Sequence, residues 1–203
     1  MPKVTDAHLA ARRQQILDAA RTCFLHNGFH ATSMQQVIAE AGLSVGAVYR
    51  YFPSKNELIA AIAEQVVGEM DALLAGSAQP GVPLVEVLTQ AVDAFQDYLG
   101  PDGPVRMAVQ LWAEALRDPR LAEFVGGVYQ RLRSRFVELA RTAQRSGELS
   151  ATADPEAVGA TLFALFPGYG LQQLLTGSPG PEEFKAGIRV LLRAHPGKAA
   201  IAR

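Results

Sequence analysis

The segment TSMQQVIAEAGLSVGAVYRYFPSK, Thr32–Lys55, predicts two short helices joined by a tight turn, a helix-turn-helix. Thr32 or Ser33 can cap the first helix, and Gly42 supplies the left-handed residue that commonly ends one. Ser44 can cap the second helix, which has about eight residues before a proline stops it. Because so short a helix is not stable alone, the segment requires other helices packed behind it.

Gly46 lies inside the second of these helices, where glycine costs about 0.5–1 kcal/mol relative to alanine. We expect Val48 and Phe52, four residues apart, to be buried against the helices behind, which leaves Tyr49 and Arg50 directed outward. A helix with such a thin exposed half can enter the major groove of DNA, which is about 12 Å wide. The sequence therefore predicts a DNA-binding surface on this helix.

Side chains around this helix carry groups suited to DNA. Tyr49 can donate its hydroxyl to a phosphate, and Arg50 can pair with a phosphate or with a guanine edge. Lys55 lies near the start of the next helix, where an anion is favoured, and Gln35 could reach a base edge. A structural interpretation stays open for each: the hydroxyl residues cap helices, Tyr49 packs on its own subunit, and Arg50 and Lys55 are solvated charges.

Composition and charge restrict the class of protein. The 203 residues are 49% hydrophobic and 19% charged, which is typical of a globular chain. The single cysteine, Cys23, cannot form an internal disulfide, and neither a signal peptide nor a membrane-length apolar run is evident. We therefore expect a soluble cytoplasmic protein that does not enter a membrane.

The net charge of −1 is unevenly distributed. Residues 1–55 contain six bases and three acids, a balance of +3, so that the remainder carries −4. A basic head on an acidic body suits a protein that touches nucleic acid with its head alone, although a chance partition explains the numbers equally well.

Helical periodicity extends along almost the whole chain, and no strand pattern is evident. We predict an all-α fold of about nine helices. Residues 1–55 form a helix-turn-helix DNA-binding domain, residues 56–76 a connecting helix, and residues 77–203 a helical effector-binding and dimerisation domain. The remaining predicted helices lie near residues 7–26, 84–99, 105–117, 120–146, 155–176 and 182–194.

From Arg13 to Leu58 the sequence resembles the TetR family of bacterial transcriptional regulators, through the spaced residues AG-S-G--Y-YF-SK-EL. The resemblance implies that the second helix of the helix-turn-helix is the recognition helix. The sequence departs from the family at Val45, where a lysine is common; an apolar Val45 could instead contact a thymine methyl. By resemblance, the residues that contact DNA are Thr32, Ser33, Gln35, Ser44, Val45, Gly46, Ala47, Tyr49, Arg50 and Lys55.

Aromatic and apolar residues in the middle and late helices predict a mostly apolar effector pocket, although an ordinary core would have the same composition. Pro167 and Gly168 suggest a bend that helps to line this cavity. The arginines from Arg131 to Arg145 could form a nucleic-acid patch, but we favour a solvated face paired with acids. The candidate pocket residues are Phe95, Tyr98, Met107, Leu111, Trp112, Tyr129, Phe163, Phe166 and Tyr169.

The helix predicted at 155–176 is apolar on nearly all sides, so two of its faces must be covered. One face can meet the core of its own chain and the other a second copy, although a central helix of a monomer would look the same. By resemblance, the last two helices form a four-helix dimer interface. Its candidate residues are Leu162, Leu165, Leu174, Leu175, Phe184, Ile188, Leu191 and Leu192.

Signals for enzymatic chemistry are poor: we find no phosphate loop, zinc spacing or catalytic triad, and we predict no metal and no cofactor. The hypothesis is a homodimeric repressor that binds a double-stranded, palindromic DNA operator and is released by a small-molecule effector of unknown identity. Two alternatives stay open. One is an architectural DNA-binding protein without a ligand; the other is an all-helical carrier or enzyme whose head is incidental.

Overall fold

The computed structural model describes residues 6–77 and 81–193, and within these ranges it contains nine α-helices and no strand. The predicted all-α fold is confirmed. The predicted helix at 84–99 is divided, because a short 3₁₀ helix at Gln96–Leu99 follows α5. The helices are α1 (Asp6–Asn27), α2 (Met34–Ala41), α3 (Val45–Tyr51), α4 (Lys55–Ser77), α5 (Leu84–Phe95), α6 (Pro104–Ala115), α7 (Pro119–Ser146), α8 (Pro155–Thr176) and α9 (Pro181–Arg193).

The chain divides into two compact units, and the division differs from the sequence-based boundary. Unit 1 runs through Val66 and includes Arg106–Val125, whereas unit 2 contains Val67–Val105 and the chain from Gly126 onward. Most of α6 and the start of α7 therefore belong with the helix-turn-helix. Residues 78–80 of the predicted boundary lie outside the described residues.

The core of unit 1 is built around α1. Ile16, Leu17 and Ala20 are fully buried, and Phe24 is nearly so. Burial of this stripe is the main stabilising contribution to a small helical unit, at about 1.5–3 kcal/mol for each large apolar side chain. The other helices of the unit supply Val37, Ala41, Val48, Phe52, Leu58, Ile59 and Ile62 to the same cluster, with Met107, Leu111 and Phe124 packed against it.

The core of unit 2 is rich in aromatic rings. Phe95 meets Phe166 edge-on with ring centroids 5.6 Å apart, and Phe136 lies 5.2 Å from Phe166. Helices α7 and α8 approach closely at Gly159, where a Cβ atom would lie 2.5 Å from the Val137 Cα. Glycine at this position is therefore required by packing.

Polar contacts join the helices of unit 2. The buried Lys185 of α9 pairs with Asp93 of α5 at 2.6 Å. Arg135 of α7 binds both carboxylate oxygens of Asp71 in α4, at 2.6 and 2.7 Å. Within residues 6–77 and 81–193, no helix is long and apolar enough to cross a membrane.

Candidate nucleic-acid interface and ligand cavity

Helix α2 is fixed at both ends by local chemistry. Ser33 is its N-cap and forms a reciprocal capping box with Gln36, whose side chain accepts the Ser33 N–H at 2.7 Å. Gly42 ends the helix in the left-handed conformation, with φ of 62°. The amide of Gln15 in α1 donates to the Ala41 carbonyl at 2.7 Å and ties that end to α1.

Helix α3 has seven residues and is held by its buried side. Val48 is fully buried and Phe52 is 4% exposed, as predicted. The Ser44 hydroxyl caps the helix by accepting the Ala47 N–H at 3.3 Å. The Arg13 guanidinium lies 5.3 Å from the centroid of the Phe52 ring. These contacts brace a helix that would not persist alone.

The opposite side of α3 is exposed to solvent in unit 1. Val45 is 61% exposed and Tyr49 is 41% exposed, and Gly46 and Arg50 are exposed as well. A Cβ atom at Gly46 would meet no atom within 4 Å. Nothing in the described part of the chain therefore explains why a glycine stands there.

The other predicted DNA-contact residues differ in accessibility. Gln35 and Ser44 are exposed, whereas Ser33 and Ala47 are half-buried. The hydroxyls of Ser33 and Ser44 cap their helices. A capping hydroxyl that accepts a backbone N–H can still donate its own hydrogen to a phosphate.

The structure corrects the prediction for Thr32. This residue is 2% exposed, so it cannot reach DNA in this conformation. Its hydroxyl lies 3.0 Å from the Cys23 carbonyl oxygen and 2.7 Å from that of Gly28. Thr32 thus fastens the turn before α2 to the end of α1.

Lys55, which is half-buried, makes intramolecular hydrogen bonds, and its predicted phosphate contact stays a prediction. Its ammonium donates to the carbonyls of Phe29 at 2.7 Å, His30 at 3.2 Å and Thr32 at 2.9 Å, which occupies all three of its hydrogens. It also lies 4.4 Å from the centroid of the Phe29 ring. Burial lowers the pKa of Lys55, and the charge of Glu114 opposes this shift. Lys55 therefore stabilises the turn between α1 and α2.

Comparison with known proteins agrees with this geometry. One family model, described as bacterial regulatory proteins of the tetR family, matches residues 16–62. Another, described as the C-terminal part of BetI-type transcriptional repressors, matches residues 84–195. The chain belongs to the TetR family.

Individual TetR-family members are similar over most of the chain. UidR of Escherichia coli K12 is 30% identical over 145 residues, which are 68% of this chain and 69% of that protein. The repressor AcnR of Corynebacterium jeikeium is 26% identical over 168 residues, 83% of this chain and 84% of that protein. The structure of Salmonella enterica GusR, 30% identical, has a TM-score of 0.76 and covers 94% of this chain and 96% of that chain. This TetR-family protein is thus a helix-turn-helix transcriptional regulator.

Unit 2 of this TetR-family protein contains a cavity of about 310 Å³ between α7 and α8, which is open to the surface where Gln130, Arg133 and Ala164 are exposed. Tyr129 and Phe163 are the two predicted pocket residues that line it, and Pro167 lines it as suggested. Burial raises the pKa of the Tyr129 hydroxyl. The full lining is Tyr129, Gln130, Arg133, Ala160, Phe163, Ala164 and Pro167.

The other predicted pocket residues lie outside this lining. Phe95, Phe166 and Tyr169 are buried among one another in the core of unit 2, and the half-buried Tyr98 stacks on Phe95. Tyr98 also donates its hydroxyl to Glu69 at 3.0 Å. Three further predicted pocket residues belong to unit 1: Met107, Leu111 and Trp112.

Helices α8 and α9 both expose large aliphatic side chains, which we call the exposed α8–α9 face. Leu175 is 75% exposed, Leu191 is 68% exposed and Val190 is 69% exposed, with Leu171 also exposed. Leu165, Leu174, Phe184 and Leu192 are half-buried and pack against the core of unit 2.

Two of the predicted interface residues are corrected by their burial. Leu162 and Ile188 are 5% and 2% exposed in the core of their own chain, so they cannot meet a second copy. The sequence analysis did not single out Val190 on α9, nor Gln130, Arg133, Ala160 and Ala164 around the cavity. The helical spacing of Leu191 and Gly187 on α9 could have pointed to Val190, which lies between them on the same side.

Proposed function

We propose that this protein binds a palindromic DNA operator as a homodimer and represses transcription until a small molecule releases it. The observation that carries the proposal is Gly46. Glycine weakens a short helix, and here a side chain would have room in the monomer. Close approach of an external surface, the floor or wall of a major groove, accounts for a glycine that the fold does not need.

The exposed groups of α3 are suited to both kinds of DNA contact. The Tyr49 hydroxyl can donate to a phosphate and so set the position of the helix, whereas Arg50 can bind a phosphate or the O6 and N7 atoms of guanine. Val45, exposed at the start of the helix, can contact a thymine methyl. Gln35 on α2 supplies an amide for a base edge. We therefore expect Val45, Arg50 and Gln35 to make most of the contacts that recognise the base sequence.

Dimerisation is supported by the exposed face of α8 and α9. Monomeric soluble proteins rarely expose contiguous apolar patches, and here two consecutive helices expose four large aliphatic side chains. Pairing of this face with itself about a twofold axis would bury them. A twofold dimer would also present two copies of α3, which is the arrangement that reads an inverted repeat with half-sites about one helical turn apart.

Release by a small molecule is supported by the cavity in unit 2. An effector shifts the protein towards a state that does not bind DNA only if it binds that state more tightly. Repression is supported by the relative from C. jeikeium, which is named a transcriptional repressor. Because a bacterial operator lies in the cytoplasm, the proposal places the protein there as well.

In vitro selection tests this proposal. The full-length protein is incubated with a pool of random duplex DNA, bound duplexes are recovered and amplified, and the final pool is sequenced. We expect an inverted repeat whose half-sites lie about 10 base pairs apart, centre to centre, or a multiple of that spacing.

Two other outcomes of the selection would contradict the proposal. Retention of duplexes without any enriched sequence would favour the architectural protein. No retention at low salt, where phosphate contacts are strongest, would favour a carrier or enzyme.

A further inference from the structure

The cavity between α7 and α8 has a size and a wall that suit a small, flat, apolar body. Its volume of about 310 Å³ is at the lower end of the usual range for ligand sites. The rings of Tyr129 and Phe163 meet edge-on, with centroids 5.2 Å apart. Ala160 and Ala164, whose side chains are small, leave the space open on the α8 side.

Arg133 stands at this cavity without a partner among the described residues. Neighbouring arginines of α7 are engaged: Arg135 binds Asp71 in bidentate fashion, and Arg141 pairs with Glu138 and Glu156. For Arg133 the described part of the chain offers no hydrogen bond and no ion pair. A guanidinium has five N–H donors in a fork that matches a carboxylate, sulfonate or phosphate.

Arg133 is the single charged residue in the lining of the cavity. The neighbouring Arg135 is already paired with Asp71, and the single charged residue of α8 is Glu156 in its first turn. Gln130 adds an amide to the lining. This distribution attracts an anion and disfavours a cation of the same shape.

From these observations we propose that the cavity binds a small amphipathic anion, with its apolar body against the rings of Tyr129 and Phe163 and its charged group on Arg133. This inference rests on the proposed function, because it names the chemical class of the effector. Unlike operator binding, the binding of an anion to the cavity can be measured without DNA.

The experiment uses the full-length protein and isothermal titration calorimetry with three probes of one shape: 1-naphthoate, 1-naphthylmethanol and 1-naphthylmethylammonium. We expect the carboxylate to bind at least about tenfold more tightly than the neutral alcohol, because a charge-assisted hydrogen bond is stronger than a neutral one. The ammonium should bind more weakly than either.

Matched variants assign this preference to the cavity. Arg133→Gln should lower the affinity for 1-naphthoate at least about tenfold and leave that for the alcohol unchanged. Arg145→Gln, which removes the same charge about 18 Å further along α7, should change neither. Ala160→Phe fills the cavity and should abolish binding of both, whereas Ala122→Phe adds the same ring at an exposed site of α7 and should not. Circular dichroism and melting temperature confirm that each variant is folded.

The proposal is overturned if 1-naphthoate does not bind, if it binds no more tightly than the alcohol, or if Arg133→Gln leaves its affinity unchanged. Operator binding in the absence of probe is measured in parallel. If the wild-type protein binds 1-naphthoate but selects no operator, the proposed function is refuted and the anion site is retained. The reverse result would refute the anion site alone.

Discussion

Gly46 is the residue at which stability and DNA binding make opposite demands. Replacing it with alanine should stabilise the protein by about 0.5–1 kcal/mol, because alanine favours the helix and the added methyl meets no atom within 4 Å. On DNA the same methyl would be forced into the groove contact. We therefore expect Gly46→Ala to raise the free energy of unfolding in urea and to weaken operator binding at least about tenfold in fluorescence anisotropy.

Gly126→Ala is the matched control for Gly46→Ala. Gly126 also lies inside a helix, in α7, and a Cβ atom there would likewise meet nothing within 4 Å. This variant should gain similar stability and keep its operator affinity. If both variants bind the operator as the wild type does, α3 does not approach DNA closely at Gly46.

Lys55 and Arg50 provide a contrast between an internal and an external cation. Lys55→Met should lower the free energy of unfolding by about 1–3 kcal/mol, because three backbone carbonyls lose their donor. The slope of log affinity against log salt should stay that of the wild type. Arg50→Met should leave stability within about 0.5 kcal/mol and, where Arg50 binds a phosphate, flatten the slope by about 1. A flatter slope for Lys55→Met would instead show that Lys55 contacts a phosphate, as its position in the sequence suggests.

Thr32 and Lys55 show that the sequence alone does not tell which way a polar side chain faces. The sequence limited the first cap to Thr32 or Ser33 and predicted the cap Ser44 and the buried pair Val48 and Phe52, because local spacing determines these features. It could not tell that Thr32 and Lys55 turn inward. A hydroxyl or an ammonium suits a phosphate and a backbone carbonyl equally well, and the choice depends on how the chain folds back after α1.

At the scale of helices, the contact between α7 and α8 depends on Gly159. A Cβ atom there would lie 2.5 Å from the Val137 Cα and 2.6 Å from its nitrogen, which are backbone atoms that cannot move aside alone. Gly159→Ala should therefore lower the free energy of unfolding by about 1–3 kcal/mol, as overpacking usually does. Urea denaturation with Gly126→Ala as the control would test this. Equal or higher stability of Gly159→Ala would mean that the helices separate at little cost.

Helix ends were predicted well because capping residues, prolines and glycines mark them in the sequence. The sides of the helices were predicted less well. Since α8 is apolar nearly all round, its pattern does not distinguish Leu162, which faces the core of its own chain, from Leu175, which faces outward. The grouping of α6 with unit 1 also depends on which core Met107 and Leu111 enter, and any apolar stripe suits either core.

For the whole molecule, dimerisation should decide both mass and DNA binding. Leu175→Glu places a charge on the exposed α8–α9 face, where two copies related by the twofold axis would meet. We expect a monomer by light scattering at micromolar concentration. Operator affinity should fall at least about a hundredfold. A monomer binds one half-site and loses the affinity that a dimer gains by binding two half-sites at once.

Leu116→Glu is the matched control for the dimer prediction. Leu116 is 90% exposed, more than Leu175 at 75%, but it belongs to unit 1, whereas the proposed face belongs to unit 2. This variant should remain a dimer with unchanged operator affinity, since exposure alone does not make a leucine part of an interface. A dimeric Leu175→Glu protein with wild-type affinity would contradict the assignment of the face, because two buried carboxylates cannot be accommodated across a twofold axis without loss of association.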